Sequence, residues 1–103
     1  MIKIVLFCAA GMSTSVLVTK MEKAAKEKGI DVKVEAFPES QMEKHLDGVS
    51  VVLLGPQVRF MLPKAKQICE PLGIPVDVIA PQDYGMMNGA KVLENALKLI
   101  GKK

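Results

Sequence analysis

The sequence predicts an α/β fold: a small, open, parallel sheet of four strands with helices on both faces. Short β-rich segments alternate along the chain with segments of helical periodicity. Such alternation indicates βαβ units, in which right-handed crossovers join parallel strands. The β-rich segments cover residues 2–7, 32–37, 51–54 and 76–79. A length of 103 residues suits a single domain, residues 1–103, with one sheet at its centre.

The four segments differ in how apolar they are, and that difference orders the strands. Residues 2–7 and 51–54 are almost wholly apolar, as in strands that are covered on both faces. Residues 32–36 alternate apolar and polar side chains, which an edge strand can do. The predicted strand order is therefore 2-1-3-4, a flavodoxin-like arrangement in which the order reverses between the first and third strands.

Periodicity and end signals place the first two helices. The first helix has residues at helical spacing: Leu17, Met21, Ala24 and Lys28. Gly29 is well placed to end it. Ser40 followed by Glu43 is a capping-box pattern, which predicts a short helix over residues 40–46.

Two further helices are expected in the second half of the chain. Pro63 disfavours helical geometry at Leu62, so we expect a turn over residues 57–62 and a helix over residues 63–70. Residues 81–85 are expected to form a polar loop after the fourth strand. The last helix is predicted over residues 89–100, with one apolar stripe that suits a core. The stripe consists of Val92, Leu93, Ala96, Leu97 and Ile100.

Composition and charge narrow the class of protein. Charged residues interrupt every apolar stretch before the ~20 residues needed to cross a bilayer, and nothing after Met1 resembles a signal peptide. We therefore expect a cytoplasmic protein without membrane insertion. The net charge is +3, bases and acids are interleaved, and 4% of residues are aromatic, which argues against nucleic-acid binding. Cys8 and Cys69 are far apart in a chain without a recognisable secretion signal, so both are expected to be reduced thiols. The single His and these two cysteines lack the spacing of a zinc site, so no metal or other cofactor is expected.

Cys8 is the strongest candidate for a reactive residue. It lies where the first strand gives way to a small, hydroxyl-rich segment and then to a helix. Backbone N–H groups of such a turn, together with the positive end of the helix dipole, stabilise a thiolate and can hold a phosphate. The predicted phosphate-binding loop consists of Ala9, Ala10, Gly11, Met12, Ser13, Thr14 and Ser15. The loops at residues 55–57 and 81–85 should meet Cys8 at the carboxyl edge of the sheet.

The residue spacing after Cys8 distinguishes an enzyme that hydrolyses a phosphoryl group on sulfur from a protein that holds it. Tyrosine phosphatases have Cys, five residues, Arg and then Ser or Thr; here Thr14 stands where that Arg would be, and Ser15 follows. The missing Arg would have stabilised the phosphoryl group with bidentate charge during hydrolysis. The sequence therefore favours a protein that holds a phosphoryl group on sulfur over one that hydrolyses it quickly.

Several other residues carry weaker signals. Asp83 is either a general acid or a turn-forming residue, and Tyr84 either hydrogen-bonds to the loop or covers the core edge. Arg59 is expected to be a solvated surface residue, although it can lend charge to the site. His45 is expected to be exposed at a helix end, and Cys69 is expected to be a packing residue.

Four collinear stretches of the chain occur together in one known family. They are Leu6-Phe7-Cys8-Ala9-Ala10-Gly11-Met12-Ser13-Thr14-Ser15, Glu35-Ala36-Phe37-Pro38-Glu39, Val51-Val52-Leu53-Leu54-Gly55-Pro56-Gln57-Val58 with Met61-Leu62-Pro63, and Tyr84-Gly85. They resemble the enzyme IIB component of the lactose/cellobiose class of the bacterial sugar phosphotransferase system. The Gly-Met-Ser-Thr-Ser form is more similar to the cellobiose, lichenan and diacetylchitobiose branch than to the lactose branch. The resemblance implies a fold like that of low-molecular-weight tyrosine phosphatases.

The resemblance implies a phosphoryl relay. A phosphohistidine on enzyme IIA gives its phosphoryl group to Cys8, which passes it to a β-linked disaccharide or oligosaccharide held by the membrane component, enzyme IIC. Two alternatives stay open: a phosphatase or arsenate-reductase-like thiol enzyme, and a non-catalytic regulator that binds an anion at the same loop. The missing Arg opposes a phosphatase, and no cysteine close to Cys8 in sequence is available to resolve a disulfide, as a reductase requires.

Overall fold

A computed structural model of the protein describes residues 2–8 and 14–101, without the side chain of Thr14. Within these residues a parallel four-stranded sheet has the order β2-β1-β3-β4. The strands are β1 (Ile2–Cys8), β2 (Val32–Pro38), β3 (Val51–Leu54) and β4 (Val76–Val78). The α-helices are α1 (Thr14–Glu27), α2 (Leu62–Cys69), α3 (Pro81–Gly85) and α4 (Gly89–Gly101), and 3₁₀ helices form at Glu39–Lys44, Pro56–Met61 and Glu70–Leu72. The predicted α/β class and strand order are confirmed.

The side chains of β1 alternate between two separate core clusters, one on each face of the sheet. Ile4 and Leu6 pack with residues of α1 and α4, whereas Val5 and Phe7 pack with residues of α2 and of two 3₁₀ helices. All four side chains are fully buried. This double burial explains why the first strand is an uninterrupted apolar run, and it confirms the prediction of helices on both faces.

Helices α1 and α4 have the positions and roles that the sequence predicts. Gly29, just after α1, has a φ of +71°, a left-handed conformation that favours glycine and ends the helix there. The apolar stripe of α4 faces the core. Val92, Leu93 and Ala96 are buried, and Leu97 and Ile100 pack against the same cluster.

The segment after β2 differs from the capping-box prediction. A 3₁₀ helix covers Glu39–Lys44, and its N-cap is Pro38, with φ −62°, ψ 146° and no side-chain cap hydrogen bond. A short helix is therefore confirmed, but Ser40 is inside its first turn and not at the N-cap, so the predicted capping box was wrong. The reason is Pro38, whose extended backbone ends β2 and makes Glu39 the first helical residue.

The segment after β3 also differs from the prediction. Residues 56–61 form a 3₁₀ helix, and α2 begins at Leu62, whose φ of −54° and ψ of −46° are helical. The expectation that Pro63 would keep Leu62 out of the helix was wrong. Pro63 stands in the first turn, where its missing N–H breaks no helical hydrogen bond. Packing of Leu62 against the second core cluster offsets the unfavourable geometry before a proline.

Residues 81–85 form the short helix α3 and not the expected loop. Pro81 is in its first turn, where the fixed φ of proline suits a helix. The N–H of Tyr84 donates to the carbonyl of Ala80 at 3.0 Å, and the N–H of Met86 donates to that of Gln82 at 3.1 Å. The helix ends at Gly85, close to the start of α4.

Candidate functional site at the carboxyl edge of the sheet

Cys8 is the last residue of β1 and lies at the carboxyl edge of the sheet. It pairs with Pro38 of β2, and the preceding Phe7 pairs with Leu54 at the end of β3. Because β1 lies between β2 and β3, Cys8 stands where the strand order reverses, which is where ligands bind in open parallel sheets. Only 2% of the surface of Cys8 is exposed to solvent. A reactant must therefore come close to the edge to reach the sulfur.

The end of β3 approaches Cys8 through Gly55. The N–H of Gly55 donates to the carbonyl of Phe7 at 2.8 Å. A Cβ added at Gly55 would lie 3.2 Å from Cβ of Cys8 and 2.9 Å from Oε1 of Gln57. The φ of Gly55 is −62°, which any residue adopts, so this position needs glycine for space and not for conformation.

An open groove of about 690 Å³ lies between the segment after β3 and helix α3. It is lined by Pro56, Gln57, Arg59, Phe60, Pro81, Tyr84 and Gly85. Both walls begin at carboxyl ends of strands, so the groove opens at the edge of the sheet that carries Cys8. The prediction that these two segments meet at one edge is confirmed.

Most of the predicted phosphate-binding loop lies outside the described residues. This holds for Ala9, Ala10, Gly11, Met12 and Ser13, and for the side chain of Thr14. Ser15 is exposed in the first turn of α1, and its carbonyl accepts a hydrogen bond from Oγ1 of Thr19 at 3.1 Å. Because α1 begins at Thr14, shortly after Cys8, the positive end of its dipole lies at the carboxyl edge.

The structure separates the two accessory candidates on α3. Tyr84 is buried in the core cluster with α1 and α4 and also lines the groove. A hydrogen bond from Tyr84 to the loop after Cys8 stays a prediction. Asp83 is half-buried and lines a different cleft, of about 310 Å³, with Asp77 and Lys98 among its walls. Asp83 lies inside α3, and its backbone carbonyl accepts the N–H of Asn88 at 2.9 Å, a contact that does not depend on its side chain. A role for Asp83 as a general acid stays a prediction.

The remaining sequence candidates lie in three different environments. Arg59 is exposed in the groove wall, as expected of a solvated residue. Cys69 is fully buried in the second core cluster, which confirms a packing role, and burial raises the pKa of its thiol. His45 lies at the end of the 3₁₀ helix, which confirms the expected helix-end position. It is half-buried and not exposed, because its ring stacks on Phe37 with centroids 3.6 Å apart.

Sequence reasoning missed the apolar residues around the carboxyl edge. Phe60 in the groove wall is 73% exposed, Met86 just after α3 is 69% exposed, and Val16 in the first turn of α1 is 49% exposed. Short helical segments such as residues 56–61 and 81–85 have too few residues for periodicity to reveal which side chains face solvent. Exposure at these positions could only be read from the packed structure.

Over residues 2–8 and 14–101, no group of three or more His, Cys, Asp and Glu side chains is arranged to hold a metal ion. Both cysteines are in this part of the chain, and neither forms a disulfide. In the same part of the chain, the structure has no helix with the length and apolar character needed to cross a membrane.

Comparison with known proteins gives a consistent family assignment. The family described as "PTS system, Lactose/Cellobiose specific IIB subunit" matches residues 3–95. The galactose-specific EIIB component of Lactococcus lactis subsp. cremoris is 49% identical over 102 residues, with 94% of each chain covered. The cellobiose-specific EIIB component of Lactococcus lactis subsp. lactis is 48% identical over 102 residues, again with 94% of each covered.

A solved structure supports the same assignment. The solution structure of the cellobiose-specific phosphotransferase IIB component from Borrelia burgdorferi superposes with a TM-score of 0.81 at 45% sequence identity. The match covers 99% of this chain and 94% of that one. The resemblance expected from four stretches of sequence is thereby confirmed over nearly the whole chain. The protein belongs to the lactose/cellobiose-specific IIB subunit family of the sugar phosphotransferase system.

Proposed function

We propose that this protein carries a phosphoryl group on Cys8, from a phosphohistidine of enzyme IIA to a sugar held by the membrane enzyme IIC. Family membership makes it a IIB component of a sugar phosphotransferase system. The observation that carries the finer assignment is the position of Cys8, at the reversal of strand order and directly beside Gly55. A nucleophile at this edge can accept a group from one partner and present it to the next.

The chemistry balances in two steps. In the first, the N–P bond of the phosphohistidine breaks, the S–P bond to Cys8 forms, and the thiol proton passes to the imidazole nitrogen that is released. In the second, the S–P bond breaks, a sugar hydroxyl oxygen takes the phosphoryl group, and the hydroxyl proton returns to sulfur. Cys8 is thus nucleophile first and leaving group second. The positive end of α1 at Thr14 favours the negatively charged phosphoryl group at this edge.

The exposed apolar side chains support docking of protein partners at the same edge. Phe60, Met86 and Val16 are exposed large apolar residues in the segments that follow β3, β4 and β1. Large apolar side chains that lie together on a surface mark protein-binding sites, and we propose that these three do so. Because Cys8 is nearly buried, a partner must fit closely against the edge to bring its reacting atom to the sulfur. We assign this face to enzyme IIA and then to enzyme IIC, which places the chain in the cytoplasm.

The substrate class that we propose is a β-linked disaccharide or oligosaccharide. It rests on the Gly-Met-Ser-Thr-Ser form of residues 11–15, which is similar to the cellobiose branch of the family. Overall identity does not select the sugar, since the relatives named for galactose and for cellobiose are almost equally similar to this chain. The sugar itself is bound by enzyme IIC, so selection depends mainly on that partner.

Mass spectrometry after incubation with a phosphorylated enzyme IIA tests the proposal. The unmodified protein should gain one phosphoryl group on Cys8, and Cys8→Ser should gain none at residue 8 while keeping its fold. Cys69→Ala is the matched control and should be labelled like the unmodified protein. The proposal is refuted if Cys8 stays unlabelled or if Cys8→Ser still relays phosphate to sugar. Sustained release of phosphate from an aryl phosphate would support a thiol phosphatase in its place.

A further inference from the structure

The side-chain carboxamide of Gln57 lies near Cys8, and Gln57 lines the groove. Oε1 of Gln57 and Cβ of Cys8 are both within 3.2 Å of the point where a Cβ of residue 55 would be. Oε1 of Gln57 and Cβ of Cys8 are therefore separated by less than twice 3.2 Å. Sγ, phosphorus and the phosphoryl oxygens of a phosphocysteine would extend beyond Cβ in turn, so the carboxamide is within reach of a phosphoryl group on Cys8.

The backbone around Gln57 is held in place by two hydrogen bonds and a buried side chain. The N–H of Gly55 donates to the carbonyl of Phe7 at 2.8 Å, which ties the segment to the end of β1. The N–H of Val58 donates to the carbonyl of Gly55 at 3.0 Å, and the side chain of Val58 is buried in the second core cluster. Gln57 lies between these anchored residues, so the fold fixes its backbone near the end of β1, while its exposed side chain can turn.

We propose that the Gln57 amide donates a hydrogen bond to a phosphoryl oxygen on Cys8 during transfer. This inference rests on the proposed function of Cys8. Rotation about the last side-chain bond exchanges Oε1 for Nε2, which carries two N–H donors. A neutral amide stabilises the group less than the guanidinium of a tyrosine phosphatase, whose position is occupied here by Thr14. Gln57 thus supplies part of the stabilisation that a held and transferred phosphoryl group requires.

Two substitutions at residue 57 test the hydrogen bond directly. Gln57→Ala removes the donor and should slow phosphoryl transfer from enzyme IIA to Cys8 by about 10-fold or more. Gln57→Glu keeps the shape of the side chain but places a carboxylate against the phosphoryl group, so it should be slower than Gln57→Ala. Gln82→Glu is the matched control, because it makes the same charge change at an exposed position of α3 outside the groove lining. Its transfer rate should stay within about 2-fold of that of the unmodified protein.

A second pair of variants moves the carboxamide without replacing it. The Cβ of Gly55→Ala would come 2.9 Å from Oε1 of Gln57, too close for that side chain to stay where it is. It would also come 3.2 Å from Cβ of Cys8, a contact that a shift of a few tenths of an ångström relieves. The flexible side chain should swing away, and transfer should slow by about 10-fold. Gly101→Ala is the control: Gly101 is at the far end of α4, outside the groove lining, and a Cβ there meets no described atom within 4 Å. Melting temperatures identify any variant whose fold is disturbed.

The rate of transfer within the complex distinguishes phosphoryl binding from docking. Affinity for enzyme IIA, measured by titration, should stay unchanged in both Gln57 variants while the transfer rate at saturating enzyme IIA falls. If affinity falls and the saturated rate does not, Gln57 is a docking residue and the inference is wrong. Unchanged rates in both variants, with Cys8 still labelled, overturn this inference alone. Absence of labelling on Cys8 in the unmodified protein overturns the proposed function as well.

Discussion

Replacing Gly89 with Ala at the start of α4 is expected to destabilise the protein, because two helix backbones meet there. The added Cβ would lie 2.6 Å from the carbonyl carbon of Lys20 and 2.7 Å from the backbone nitrogen of Met21. Real Cβ atoms essentially never come within 3.0 Å of other atoms. Since the contacted atoms belong to the backbone of α1, the overlap is relieved only by moving one helix away from the other.

The size of the effect follows from what that movement disrupts. Met21 on α1 and Leu93 on α4 are both fully buried in one core cluster, so separating the helices loosens packing between them. Overpacking of a core costs typically about 1–3 kcal/mol. The better helix propensity of Ala offsets up to about 1 kcal/mol of this. Taking the middle of the overpacking range, about 2 kcal/mol, the free energy of unfolding should fall by about 1–2 kcal/mol, which lowers the melting temperature by about 4–16 °C in a domain of this size.

Urea unfolding followed by far-ultraviolet circular dichroism measures the change. The midpoint should fall while the slope stays unchanged, because the folded state exposes the same surface. Gly101→Ala is the control at the other end of α4, where an added Cβ meets no described atom within 4 Å. It should change stability by less than about 0.5 kcal/mol. A Gly89→Ala protein that unfolds at the same or a higher urea concentration would refute the argument from helix contact.

Two further predictions concern the sheet edge and the buried thiol. The N–H of Ile79 donates to the carbonyl of Leu54 in β3, so the N–H of the preceding Val78 points away from the sheet. This N–H of Val78 donates to Oδ1 of Asp77 at 2.7 Å. Asp77→Ala should therefore expose the N–H of Val78 at the sheet edge and increase self-association, which light scattering over rising protein concentration detects. Asp77→Asn keeps an acceptor and should not increase self-association. Equal self-association of the two variants would contradict this. Burial raises the pKa of Cys69, so the unfolded chain loses this thiol proton first as pH rises. The stability contribution of Cys69 is present below about pH 8.5 and is lost above it, and urea midpoints between pH 7 and pH 10 should fall more than in Cys69→Ala; parallel curves would disprove this.

The elements that sequence reasoning placed correctly have long or strongly apolar patterns. The uninterrupted apolar run of β1 indicates burial on both faces, and the alternation in β2 indicates an edge strand; both follow from the two-residue period of a strand. The stripe of α4 has enough turns to define a face. The position of Cys8 follows from the order of these elements, because parallel strands bring their carboxyl ends to one edge.

The elements that it misjudged are short and depend on competing local preferences. The capping box at Ser40 does not form, because Pro38 has an extended backbone and is itself the N-cap. The unfavourable geometry of Leu62 before Pro63 was offset by core packing. Residues 81–85 form a single helical turn that has too few positions for a periodic pattern. In each case neighbouring residues and tertiary contacts decided between alternatives of similar free energy.

The sequence by itself determined the fold class, the strand order, the candidate nucleophile and the presence of Thr14 where a phosphatase has Arg. These features could be read directly because the order of apolar segments and the residues after Cys8 are local properties of the chain. The tertiary structure decided which distant residues meet. Gly55 and Gln57 are placed beside Cys8, and Gly89 is placed against Lys20, by the packing of helices and strands that are far apart in sequence. Such contacts leave no local pattern, because they depend on space that exists only once the sheet and its helices are assembled.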